Sequence, residues 1–116
     1  MPTVLNYTPG QQVTVFQEII DATGARTDDG YTPVVTRIIV PGFTLATGTY
    51  PIAMNRLDTG LYYYQFNLPS GSSAVGSYLV DIVFLNPVTN VLNNNTYQIV
   101  VTAPFGNFGI SVAVPT

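Results

Sequence analysis

LDTGLYYYQFNLPSGSSAVGSYLVDIVFL, residues 57–85, decides the fold of this chain. Two strand-like runs, 61–68 and 77–85, flank a loop of small residues. In the first run Tyr62, Tyr64, Phe66 and Leu68 recur at period two; in the second, Tyr78, Val80, Ile82 and Phe84 do the same. Period-two alternation of apolar residues marks a strand with one face in a core. Two such faces, with four large side chains each, predict the centre of a small all-β domain.

The join between the runs is more specific. Residues 74–80, AVGSYLV, carry the spacing A-x-G-x-Y-x-apolar around Gly76 and Tyr78. This resembles the tyrosine corner of immunoglobulin-type sandwiches, where a Tyr near the start of one strand, two residues before a Cys, bonds back to upstream backbone. Val80 stands at the Cys position, so the pattern is the corner without the disulfide.

Working outward, turn signals recur at the spacing of a sandwich. Residues 4–7 form a short apolar start closed by Thr8-Pro9-Gly10. A strand follows over 13–20, with Val13, Val15 and Ile19 on one face and Phe16 and Ile20 on the other, the alternation being imperfect. Asp21-Ala22-Thr23-Gly24 reads as a turn and 26–32 as a polar loop. Residues 34–40 are a strand ended by Pro41-Gly42. The Thr- and Gly-rich stretch 43–51 fits a short edge strand and 52–57 one more. Asn86-Pro87-Val88-Thr89-Asn90 and Asn93-Asn94-Asn95 read as two turns before a last core strand over 97–103. No segment keeps helical periodicity. The prediction is an antiparallel β-sandwich of seven or eight strands over 9–103, preceded by a segment 1–8 and followed by an apolar extension 104–116.

That extension, PFGNFGISVAVPT, is too apolar for a disordered terminus. Phe105, Phe108, Ile110, Val112 and Val114 predict either a final strand or an arm docked on a neighbouring copy. If Tyr62, Tyr64 and Phe66 face inward, Leu61 and Tyr63 face out; on the next run Leu79, Val83 and Leu85 face out around Asp81. The expectation is one apolar outer patch, which marks a contact surface.

Composition narrows function. Apolar residues make up 47% of 116 and charged residues 8%, against about 25% in ordinary domains. A surface so poor in charge points to assembly. Arg26, Arg37 and Arg56 are the only cations in a chain of net charge −3, which argues against nucleic acid and against an anionic membrane. The chain lacks His, Lys and Cys, which removes most general bases, every familiar serine-nucleophile arrangement and thiolate metal sites. No catalytic residue, no cofactor and no metal is expected. Asp21, Asp28, Asp29 and Asp58 read as turn acids rather than as a calcium site. Residues 1–6 have no basic and apolar leader pattern, so no signal peptide is expected.

Pro9-Gly10-Gln11-Gln12-Val13-Thr14-Val15, the turn 21–24, the run 59–69 and Gly76-Ser77-Tyr78-Leu79-Val80 together resemble the immunoglobulin-like modules of bacteriophage virion proteins, including head decoration or cement, neck and fibre-associated proteins. The resemblance covers roughly 9–103 and carries no site residues. It implies a structural protein of the virion, assembled in the host cytoplasm. Its partners would be other virion proteins, the major capsid protein foremost, and copies of itself. The alternative is a host-glycan or surface-binding module of a fibre or adhesin, with Tyr62, Tyr63, Tyr64 and the Asn93–Asn95 stretch as contacts.

Overall fold

The structure, a computed structural model, describes residues 3–28, 31–46 and 48–103. It is all-β, with two sheets packed as a sandwich and no α-helix among the described residues. Nine strands run in order: β1 (Thr3–Tyr7), β2 (Gln12–Glu18), β3 (Val34–Val40), β4 (Thr44–Leu45), β5 (Ile52–Ala53), β6 (Asn55–Asp58), β7 (Leu61–Asn67), β8 (Gly76–Asn86) and β9 (Val91–Val101). One sheet has the order β1-β9-β8-β3-β4, with β5 also on β3; the other is β2-β7-β6. Among the described residues every strand pairing is antiparallel except β1 with β9.

The two runs that frame residues 57–85 become β7 and β8, one in each sheet. Their inward rows meet those of β2, β3 and β9. Val13, Val15, Val35, Val80, Ile82 and Ile99 are fully buried at the centre. Tyr78 Oη donates to the Ala74 carbonyl at 2.9 Å. This is the corner bond that the Gly76–Tyr78 spacing predicts. Gly76 adopts φ 138°, and a Cβ there would stand 2.8 Å from Pro41 Cγ, so the corner packs directly on the β3–β4 turn.

Three expectations change. The chain has nine strands among the described residues because 52–57 is not one strand. Ile52–Ala53 pairs with β3, and Asn55–Asp58 pairs with β7. Buried Met54 lies between them, its N–H donating to the Pro33 carbonyl at 3.0 Å, and there the chain changes sheet. The start 4–7 is strand β1, laid parallel on β9. Asn93-Asn94-Asn95 is no turn: the three residues sit inside β9 opposite Phe84, Val83 and Ile82. Eleven-residue β8 supplies a full ladder of partners, and that long-range pairing overrides the local turn preference of Asn. The hairpin turns at 87–90, the other turn read from the sequence, where Asn86 Oδ1 accepts from the Val88 and Thr89 N–H groups.

Gln17 explains the imperfect alternation of β2. It is 8% exposed and continues the inward row of Val13, Val15 and Ile19. A buried amide must find partners. Its Nε2 donates to the Glu18 carbonyl at 2.8 Å, and its Oε1 accepts from Asn95 Nδ2 at 2.9 Å, joining the two sheets.

The edge of β2 away from β7 is covered by side chains from the other sheet. The Tyr7 hydroxyl of β1 accepts from the Thr14 N–H, and the Tyr97 hydroxyl of β9 both accepts from the Phe16 N–H and donates to the Phe16 carbonyl.

Candidate contact surfaces

Residues facing away from the core divide between two opposite sides of the sandwich. This corrects the single patch expected from the sequence. Leu61 and Tyr63 lie on β7, on the outer face of the three-stranded sheet. Leu79, Val83 and Leu85 lie on β8, on the outer face of the larger sheet. Alternation told inward from outward on each strand, and both runs are indeed half-buried on their outer sides. It could not tell that consecutive strands had crossed to different sheets.

On the three-stranded sheet Tyr63 stands directly opposite Phe16 and Asn55. With Thr14, Leu57 and Gln65 these rings border a shallow depression of about 270 Å³. Phe16 and Leu57 are 43% and 56% exposed.

On the larger sheet one outward row crosses five strands. Val4 faces Gln98, Gln98 faces Leu79, Leu79 faces Ile39, and Ile39 faces Leu45. The next row is polar. Asp81, which the alternation turns to the outer face among Leu79, Val83 and Leu85, is nevertheless 5% exposed. Arg37 Nε donates to its Oδ2, and the Thr96 hydroxyl donates to its Oδ1 at 2.6 Å. The Arg37 side chain folds over the carboxylate and stays 58% exposed itself. Beyond this pair the outer surface returns to Val83, Leu85 and the exposed Leu92.

Phe43 sits at the end of this face and was not singled out in the sequence. It closes the β3–β4 turn with φ 61° and is 91% exposed. Left-handed backbone is uncommon for a bulky residue, and an exposed Phe gains nothing from its own fold. A groove of about 510 Å³ runs beside it, lined by Ile39, Pro41, Ser77, Leu79 and Gln98. The only sequence signal was Phe directly after Pro41-Gly42, where a turn residue is ordinary.

Tyr62 is buried, Tyr64 lines the space between the sheets and Tyr63 faces out. Asn94 belongs to the opposite sheet. The stretch proposed as a glycan contact therefore does not converge on one place. Phe105, Phe108, Ile110, Val112 and Val114 lie outside the described residues.

The acids serve turns. Asp21 accepts from the Thr23 N–H and hydroxyl and from the Ala25 N–H. Asp28 accepts from Arg56 (Nη2 at 3.0 Å), the Gly60 N–H and the Tyr62 hydroxyl. Each of the three arginines is in an ion pair, Arg26 with Asp58, Arg37 with Asp81 and Arg56 with Asp28. Among the described residues no three acidic groups gather to hold a metal.

These bonds set the pH response. The Thr23 hydroxyl holds the Asp21 carboxyl below its usual range, and Arg56 does the same for Asp28. Burial raises the Tyr50, Tyr62 and Tyr78 phenols. A depressed carboxylate stabilises the fold above its unfolded value of about 3.9, and this is lost as pH falls through the folded value. A raised phenol stabilises it below about 10, and this is lost as pH rises further. The melting temperature is expected to be flat near neutrality and to fall on both sides. Asp28→Asn should flatten the acid limb and Tyr78→Phe the alkaline one. Unaltered limbs in melting curves between about pH 2 and 12 would contradict this.

No protein-family model matches the chain, and no curated protein sequence matches it.

Proposed function

We propose that the chain is a non-enzymatic structural protein of a bacteriophage virion, a decoration or cement protein that binds the capsid lattice through its apolar outer surface and its C-terminal arm. The observation that carries this reading is Phe43, held on left-handed backbone and 91% exposed at the end of an apolar sheet face. Strained, exposed positions persist where a contact needs them. The scarcity of charge supports the same reading, since contact-surface cores are depleted in charged residues. The immunoglobulin-like assignment is supported by the Tyr78–Ala74 bond and by the strand order. In that frame β2, β7 and β6 correspond to strands B, E and D, and β9, β8, β3 and β4 to G, F, C and C′.

The direct test is composition of purified particles. The protein should co-purify with virions at a fixed ratio; its absence from them would sink the reading. Phe43→Asn sharpens the test, because its two expected effects have opposite signs. Asn tolerates left-handed backbone, so the fold should keep its stability or gain up to about 1 kcal/mol. An anchoring aromatic contributes about 1.5–3 kcal/mol on burial, so particle affinity should drop at least about tenfold. Full affinity in this variant would count against the face.

A further inference from the structure

A knob and a hollow share one border of the larger sheet. The hollow is the groove of about 510 Å³ walled by Ile39, Pro41, Ser77, Leu79 and Gln98, and Phe43 forms its rim. The Phe43 ring stands on that rim and not in the groove, since it is 91% exposed. A φ of 61° holds it there, in a backbone region that bulky residues rarely adopt. The groove itself is firmly built. Gly76 comes so close to the β3–β4 turn that an added Cβ would stand 2.8 Å from Pro41 Cγ. A hollow formed in advance costs little ordering when it is filled. Among the described residues that line it none is charged. Two copies, each of net charge −3, can therefore meet here without direct repulsion.

We infer that the groove receives the Phe43 ring of a second copy, the two copies exchanging rings about a two-fold axis. Three occupants could supply a ring, and they account for different amounts of what is seen. Phe105 or Phe108 of the same chain would fill the groove but leave Phe43 in water. An unrelated protein would need a ring and a ring-sized hollow at matching places. A second copy has both by identity, so one contact explains the strained, exposed Phe and the preformed hollow together. Because Phe43 is the rim of its own groove, the copy that offers its ring also presents its groove to the partner's ring. Such a contact is isologous and closes at two copies. The outward row of Leu79, Ile39 and Leu45 continues the apolar surface beside it.

Size sets the strength. A buried aromatic removes about 150–250 Å² from water, so two rings with the walls they cover come to roughly 600–1,000 Å². Stable interfaces bury about 1,200–2,000 Å². The dimer is therefore weak, with a Kd on the order of 100 μM. This pairing rests on the assembly role proposed for the face and names what the face meets. A lattice that holds copies at neighbouring points would raise their effective concentration and complete it.

The test is sedimentation equilibrium of the purified full chain between about 10 μM and 1 mM. Phe43→Asn removes the ring, and Ser77→Tyr, at an exposed outward position, fills the groove. Each variant alone should associate at least about tenfold more weakly than the parent. Mixed in equal amounts, the two should recover part of the loss, because the Ser77→Tyr copy keeps its ring and the Phe43→Asn copy keeps its groove. A parent that stays monomeric to about 1 mM would overturn the inference. So would parent-like association of either variant, or a mixture no stronger than its components. Melting curves check the fold, and if Ser77→Tyr does not fold, Gln98→Tyr on the opposite wall replaces it with the same outcomes. Purified protein alone is used: a monomer that co-purifies with virions ends the pairing and keeps the assembly role, and a dimer absent from virions does the reverse.

Discussion

Gly60→Ala is expected to lower the melting temperature by roughly 10 °C or more, about 3 kcal/mol. Gly60 lies in the β6–β7 turn with φ 64°, and a Cβ there would stand 2.5 Å from the Thr27 nitrogen and 2.8 Å from the Ile19 carbonyl oxygen. Both are backbone atoms and cannot swing aside. Left-handed backbone alone costs Ala roughly 1–2 kcal/mol. The clash adds a shift of strands already bonded to one another: Ile19 N–H donates to the Gly60 carbonyl, Thr27 N–H to the Ile19 carbonyl, and Gly60 N–H to Asp28. Gly24→Ala is the comparison, because Gly24 also has positive φ but nothing within 4 Å of an added Cβ. It should cost about 1 kcal/mol. Equal losses from the two substitutions would show that the crowding at Gly60 relaxes freely.

The second large effect is at Tyr78, and two substitutions separate its parts. Tyr78→Phe keeps the ring and removes the bond to Ala74. The expected loss is about 1–2 kcal/mol, from the bond and from a carbonyl left without its partner. Tyr78→Ala also empties a site that is 3% exposed. The total should then reach about 3–5 kcal/mol, a large part of a typical stability of about 5–15. Chemical unfolding of the two variants measures both steps. A Phe variant as stable as the parent would mean that the corner hydroxyl is structurally idle.

How far these features could be read in advance follows from the range of the interactions behind them. The corner was legible because its bond closes over four residues and leaves a local spacing around Gly76 and Tyr78. The inward rows of β7 and β8 were legible because alternation is a property of one strand. The distribution of Leu61, Tyr63, Leu79, Val83 and Leu85 over two opposite faces was not, because sheet membership depends on partners distant in sequence. The same reason hid Asn93–Asn95 within β9: three Asn favour a turn locally, and only eleven paired residues of β8 reverse that. Gln17 and Asp81 were hidden differently. Each is polar and buried, and each is made tolerable by one specific partner set, Asn95 for the amide, Arg37 and Thr96 for the acid. Phe43 inverted the usual rule, since hydrophobicity suggests burial and its turn holds it in solvent.

The phenol-covered border of β2 has a consequence for crowding. Copies held side by side at high local concentration risk fusing through exposed strand borders, the route by which β-rich proteins form fibrils. Thr14 and Phe16 are closed to that route by Tyr7 and Tyr97. Their amides should exchange with deuterium slowly for positions at the rim of a sheet. Growth by added strands is thereby steered away from β2, so the border of this sheet is closed to one route of aggregation by two phenols that belong to the other sheet.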